Sequence, residues 1–250
     1  MSILSSKEKE YRHSPSKLKT FSKASSQFVY DNVFEIEKAS NDMMKRGNVT
    51  EKITEYILTE EHSEKEIFDY AKATSEEYEI EDKANIFWSI DCAKQMKLAL
   101  QERQLNRVDV YQEEYKDHLE GFKFYQLGYS DFTFNNMVVD LKSKSRMPNN
   151  NIADFGDVLQ QSFYWGLSGK SRRFALLYAT PKKSLFIEIP QKELMKGWQV
   201  CLHNMSTIEK LDDMCKTKED WLSLFPYPDI SSYYYNDEDY LVEINKLYKL

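Results

Sequence analysis

The sequence is poor in the residues that punctuate a chain. It has 7 glycines and 6 prolines in 250 residues, which excludes collagen-like, glycine-rich and proline-rich classes and predicts long elements with few tight turns. Three cysteines, Cys92, Cys201 and Cys215, are too few and too scattered for a disulfide framework. They also cannot supply four thiolates to an iron–sulfur cluster or a zinc ribbon, so a reducing compartment is expected. No apolar run has the length of a membrane span, and residues 1–20 lack the apolar centre of a secretory signal. A soluble, cytoplasmic protein with no membrane partner is the expectation. No Gly-x-x-x-x-Gly-Lys-Ser/Thr loop and no Gly-x-Ser-x-Gly elbow is present. The four histidines, His13, His62, His118 and His203, are dispersed with no ligand spacing.

What is present is enough to build a core: 41% hydrophobic and 14% aromatic residues over 250 positions. The net charge of −7 weighs, as a sum, against contact with phosphates. The distribution says more. Acid concentrates in 51–82 and 209–239, whereas 158–187 contains no Asp or Glu and carries Lys170, Arg172, Arg173, Lys182 and Lys183. Lys142, Lys144 and Arg146 lie just upstream. A basic face on an acidic protein is expected in the middle third.

Residues 1–13 read as a mobile start. Ser14-Pro15-Ser16 reads as a helix start, with a helix over 17–30. A second helix is expected over 49–59, and acid-rich helical segments continue to about 106. The character changes near 107. Residues 121–128 are aromatic and short-period. Residues 132–134, the Asn135-Asn136 turn and 137–142 read as a hairpin. A helix over 152–167 follows, then strands over 173–179 and 184–189 joined by 180–183. Residues 191–203 are ambiguous. Ser206-Thr207-Ile208-Glu209 reads as a capping box opening a helix to about 225, and the tail with Tyr233, Tyr234 and Tyr235 reads as irregular. Helices, strands, helix, strands and helices give an α/β (α+β) class: a central mixed sheet flanked by helices with a helical N-terminal part. One domain over 14–250 is expected, with a helical part to 106, a sheet core over 107–190 and a C-terminal helical part over 191–250.

Asp140 and Lys142 are two apart in the strand 137–142, so both side chains share one face, with Val139 and Leu141 on the other. A charged pair in an otherwise apolar strand needs a partner, because buried charge is costly unless paired or metal-bound. A hairpin can bring Asp131 beside Asp140. Two carboxylates can hold Mg²⁺ through oxygen ligands, and a nearby Lys can orient a metal-activated water or offset charge on a phosphoryl transition state. Gln160 and Tyr164 then share one helical face.

These pieces, in this order, resemble the RecB-like branch of the PD-(D/E)xK nuclease superfamily. The matching positions are Ser14, Ser16 and Leu18; Gly47, Glu51 and Glu55; Gly128, Asp131 and Phe132; Asp140 and Lys142; and Gln160 and Tyr164, over about residues 14–190. Glu51 stands where the branch usually has His, and Glu51, Glu55 or both remain open as ligands. The cysteine set of the branch's iron–sulfur members is absent, so the resemblance is to stand-alone exonucleases of the phage or mitochondrial genome maintenance type. It implies a restriction-endonuclease-like core and a DNA exonuclease acting on linear ends or single strands, in recombination, repair or degradation. Asp131, Asp140 and Glu51 are then the metal ligands for Mg²⁺ or Mn²⁺. Lys142 positions water and phosphate, and Gln160 and Tyr164 contact the site. Lys144, Arg146, Arg172, Arg173, Lys182 and Lys183 track phosphates. A single-strand-annealing or replication protein is the expected partner, in the host cytoplasm if the chain is phage-encoded. The competing reading is a catalytically inactive module on the same fold that binds nucleic acid or protein. Trp165, beside Tyr164, is a candidate platform for a single-stranded base.

Overall fold

The computed structural model describes residues 3–4, 11–231, 235 and 237–249. The central hairpin forms where the pattern places it. Strand β2 (Gln126–Phe134) turns at Asn135-Asn136 into β3 (Met137–Ser143), with Phe132 opposite Val139 and Phe134 opposite Met137. Asn135 sits at φ 48°, left-handed backbone that asparagine tolerates in a two-residue hairpin turn. Its N–H is held by the Asp109 carboxylate.

β3 then pairs in parallel with β4 (Arg173–Thr180), and β4 pairs antiparallel with β5 (Lys183–Glu188). With β1 (Val110–Asp117) beside β2, the sheet has five strands in the order β1-β2-β3-β4-β5. A parallel pair needs a crossover, and α6 (Phe155–Leu167), capped by Asp154, supplies it. β4 is buried from Phe174 to Thr180, as a strand covered on both faces should be. On one face, Phe132, Phe134, Val139, Leu141, Ala175 and Leu177 pack with Cys92, Met96, Ala99 and Leu100 of α5 (Lys83–Glu102). On the other face lies α6, whose Asp157 accepts a hydrogen bond from Tyr178 Oη at 3.1 Å. α3 (Asp42–Thr59) and α4 (Glu64–Glu77) join α5 through Val49, Ile53, Ile57, Ile67, Ala71, Ile86 and Ile90. This is the expected α/β class with a mixed sheet flanked by helices.

The chain divides into two compact units. The sheet core just described belongs to Ser40–Tyr115 and Tyr129–Met195. The other unit comprises Met1–Ala39, Lys116–Gly128 and Lys196–Leu250. It contains α1 (Pro15–Lys23), α2 (Ser25–Val29), a π-helical turn (Tyr30–Phe34), most of α7 (Gln191–Met214), α8 (Lys218–Ser223) and α9 (Glu238–Tyr248). Ser14 caps α1 with Pro15 in its first turn, as the sequence predicts. No helix among the described residues is long and apolar enough to cross a membrane.

Four expectations need correction. Of the stretch 1–13, residues 1–2 and 5–10 lie outside the described residues, but Tyr11 and His13 are buried, and the His13 backbone bonds to Tyr125 and Leu127. The ambiguous 191–203 is helix, and Ser206–Glu209 is no helix start; α7 runs through it. The Glu209 carboxylate is engaged elsewhere. It accepts from His13 Nε2 at 2.9 Å and from the Lys123 and Phe124 N–H groups at 3.0 Å each. The tail contains α9, which buries Tyr240 and Ile244 against Tyr30 and Tyr235; Tyr233 and Tyr234 lie outside the described residues. Strand β1 has no counterpart in the sequence reading.

Burial raises the Glu209 carboxyl, but hydrogen bonds from His13, Lys123 and Phe124 outweigh it and hold the group below its ordinary range. A depressed carboxylate contributes stability that is present above its unfolded pKa and lost as pH falls through the folded one. Glu209→Ala orphans three donors and is expected to cost about 3 kcal/mol at pH 7. The gap between wild type and variant in urea denaturation should close below about pH 4; a pH-independent gap counts against the charge argument.

Candidate active site

β3 carries the charged pair. Asp140 is fully buried and Lys142 mostly so. The Lys142 Nζ lies 2.5 Å from Asp140 Oδ2 and donates to Gln160 Oε1 on α6 at 3.3 Å. Gln160 Nε2 donates to Tyr164 Oη at 3.2 Å, and Tyr164 Oη donates to the Tyr129 carbonyl at 2.6 Å. One hydrogen-bonded line therefore ties β3, α6 and β2 through Lys142. Gln160 and Tyr164 meet because they are one helical turn apart.

Asp131 comes from the facing strand. Continuing the β2–β3 register places it opposite Asp140, and its Oδ2 accepts from the Leu141 N–H at 2.7 Å. Glu51 comes from α3. Its Oε1 accepts from Tyr111 Oη at 3.1 Å and from Gln112 Nε2 at 3.4 Å. Burial, then the charges of Asp140 and Glu51, push the Asp131 carboxyl well above its ordinary value. Burial and Asp140 raise Glu51, against hydrogen bonds from Gln112 and Tyr111. Burial alone would lower the Lys142 ammonium, but Asp140, Asp131 and Asp157 reverse that and hold it protonated. Glu55 feels burial, Lys52 and Glu51, and neither Asp131 nor Asp140 figures among its influences. Asp131, Asp140 and Glu51 thus share one lysine.

The donor set is chemically suited to a hard divalent cation: oxygen ligands only, mutually repelling, partly buried. Asp131, Asp140 and Glu51 are the residues that could hold one. Among the described residues, no group of three or more His, Cys, Asp or Glu is already gathered as a metal site. Each carboxylate has another partner instead, in Leu141, Lys142 or the Tyr111–Gln112 pair.

The expected phosphate-tracking residues fall into two groups. Lys144 follows β3, and Arg146, Lys182 and Lys183 line one cavity of about 440 Å³ beyond the ends of β3 and β4. Arg172 and Arg173 lie at the other end of β4. Arg173 pairs with Met137 while Lys142 pairs with Tyr178, five residues further, about 17 Å at the strand rise. Both arginines are engaged, Arg172 with Glu113 and Tyr115, Arg173 with Glu188. Trp165 is 3% exposed, so it is core and not a stacking platform.

Sequence reasoning passed over three residues that contact the site. Asp157 is buried one turn before Gln160 and Gln161, and its helical spacing with Tyr164 was the available signal. Tyr111 and Gln112 are adjacent in a strand, where side chains should alternate. Gln112 sits at φ 51°, and that left-handed backbone lets both reach one carboxylate oxygen. Nothing in the sequence marks it.

No family model and no curated protein sequence matches the chain. Among solved structures it is similar to a protein of Eubacterium rectale, provisionally named an exonuclease, with a TM-score of 0.52 at 14% identity over 81% of each chain. The protein SSO0001 aligns at 12% identity over 62% of this chain and 84% of its own, with a TM-score of 0.31, too low to carry an argument. The first likeness shows the fold: an α/β, nuclease-like mixed sheet.

Removing the shared cation leaves three carboxylates uncompensated. Lys142→Ala is expected to cost about 3 kcal/mol at pH 8. Less should be lost at pH 5, because carboxyls with raised pKa values take up protons as pH falls. Chemical denaturation at the two pH values checks this; an equal loss at both means the lysine acts only by packing.

Proposed function

We propose that the chain is a metal-dependent DNA exonuclease of the RecB-like branch of the PD-(D/E)xK superfamily, hydrolysing phosphodiester bonds at linear or single-stranded ends. One observation carries the reading: Lys142, held protonated by Asp140, Asp131 and Asp157, is tied through Gln160 to Tyr164. The neighbour provisionally named an exonuclease supports it at the level of fold.

A bound Mg²⁺ or Mn²⁺ supplies Lewis acidity and an activated water. Asp131, Asp140 and Glu51 would hold it. Water oxygen bonds to phosphorus and gives up one proton to solvent, the phosphorus–oxygen bond to the leaving nucleotide breaks, and the leaving oxygen takes a proton from solvent. Lys142 is no general base, since its ammonium keeps its proton. It donates a hydrogen bond to a non-bridging phosphate oxygen or to the attacking water, where charge builds in the transition state. Gln160 fixes the direction of Nζ, and Tyr164 fixes Gln160. Tyr111 and Gln112 fix Glu51.

A second reading is an inactive module on the same fold. The observation favouring it is that each carboxylate already has a partner and that, among the described residues, no three are gathered for a metal.

End-labelled linear single- and double-stranded DNA and closed circles, incubated with Mg²⁺, Mn²⁺ or EDTA, separate the two. The expected outcome is metal-dependent loss of linear DNA with circles spared. Lys142→Ala and Asp140→Asn should each lower the rate by on the order of 10²–10³. Intact substrates with either metal, or cleavage unchanged in both variants, overturn the reading.

A further inference from the structure

The parallel strands β3 and β4 end together. Ser143 pairs with Ala179, the Lys144 N–H bonds to the Ala179 carbonyl, and the β4–β5 turn follows at Thr180–Lys183. Lys144, Arg146, Lys182 and Lys183 therefore come from two loops onto one crest. It adjoins the site, since Lys144 is two residues past Lys142, about 7 Å at the strand rise. No acid lies in 143–153 or 179–187, but Asp154 borders the crest and Asp157 lies 3.8 Å from Lys144, so four cations face two carboxylates and the local balance is still positive on a chain of net −7.

The crest is hollow. Arg146, Met147, Pro181, Lys182 and Lys183 line a cavity of about 440 Å³. A second, of about 360 Å³, is lined by Lys144, Arg146, Pro148, Ile152, Asp154 and Tyr178. Arg146 lines both. Ile152 is 67% exposed and Phe155, the first residue of α6, is 52% exposed. Solvated basic loops usually carry polar companions. Ile152 lines the second cavity and Phe155 directly follows Asp154, which lines it too; an exposed aliphatic and an exposed aromatic side chain there fit a ligand that is anionic along one edge and flat and apolar along the other.

We propose that this crest binds a single nucleic-acid strand and leads it to Lys142. Arg146, Lys182 and Lys183 contact successive phosphates, and Phe155 with Ile152 takes an unstacked base. A duplex presents phosphates but no free base faces, so it leaves Phe155 without a partner. The Arg172–Arg173 group takes no part, being at the far end of β4 and committed to Glu113 and Glu188. The inference rests on the nuclease reading only for what happens after binding.

The test is fluorescence anisotropy in EDTA with the full chain and labelled oligothymidylate, its RNA counterpart and a blunt hairpin duplex, titrated over salt. The expected order is single strand over duplex by about 10-fold or more. The Arg146→Ala, Lys182→Ala, Lys183→Ala triple variant should lower single-strand affinity at least about 10-fold and reduce the slope of log K against log salt by about 2. Phe155→Ala should lower affinity about 10-fold and leave that slope unchanged. Lys65→Ala, on α4, controls for non-specific charge. A thermal melt of each variant separates binding loss from unfolding. The RNA arm reports which sugar the crest accepts. Duplex bound as tightly as single strand, wild-type affinity in the triple variant, or loss with Arg172→Ala/Arg173→Ala instead overturns the inference. Binding as expected without cleavage in Mg²⁺ or Mn²⁺ defeats only the nuclease reading, and cleavage with unaltered binding in the variants defeats only this one.

Discussion

The structure is organised around a charge imbalance that folding alone does not favour. Three carboxylates from three elements, Asp140 on β3, Asp131 on β2 and Glu51 on α3, influence one another's ionisation, and a single lysine offsets them. Removing ionised groups from water costs several kcal/mol each unless geometry and hydrogen bonds are good. A core that only needed to be stable would put apolar side chains at these positions. The surroundings instead keep the charges in place. The Leu141 N–H is given to Asp131, Gln160 to Lys142, and Tyr111 with Gln112 to Glu51. Gln112 holds left-handed backbone, at a cost of roughly 1–3 kcal/mol, in order to reach that oxygen.

The sheet supplies the rigidity this arrangement requires. β3 and β4 lie between α5 and α6, with Met137, Val139, Leu141, Ala175, Leu177 and Ala179 in the α5 cluster and Lys142 and Tyr178, from the other set of alternate positions, bonding to α6. The two-residue periodicity that sends Val139 and Leu141 into the apolar cluster is the same one that sends Asp140 and Lys142 to Gln160. A slip of one residue in the β2–β3 pairing would reverse both outcomes at once. The Asn135-Asn136 turn, with its short loop and left-handed first residue, therefore sets the alignment of Asp131 with Asp140 as well as closing a hairpin.

That logic also explains what was legible in the sequence. The hairpin, β4, β5 and α6 were readable because periodicity and local turn chemistry decide them. Asp131, Asp140, Lys142, Gln160 and Tyr164 came with those elements. What escaped depends on distant partners. Ser206–Glu209 has the letters of a capping box, but Glu209 is used by His13, Lys123 and Phe124, which the sequence separates from it by many residues. β1, VYQEEYKD, is polar and has its alternation broken at Gln112, so neither hydrophobicity nor period marks it as a strand. The basic run from 170 to 183 looked continuous in the sequence, but β4 carries its two ends apart. Its first arginines meet Glu113 and Glu188, and its last lysines meet Arg146.

On the proposed reading, the same separation reconciles an acidic chain with an anionic ligand. At physiological ionic strength, exposed charges act over about 8 Å, so net charge governs solubility and slow approach rather than contact at one loop crest. What a phosphate would meet there is set by nearby side chains, in which Lys144, Arg146, Lys182 and Lys183 outnumber Asp154 and Asp157. Beyond the crest the sign reverses within four residues, from Lys144 through Lys142 to Asp140. A polyanion drawn onto the crest meets repulsion at Asp140, Asp131 and Glu51 unless a cation lies between them. On the proposed nuclease reading the arrangement would couple strand placement to cation binding: a divalent cation held by the carboxylates would also let a phosphate approach them.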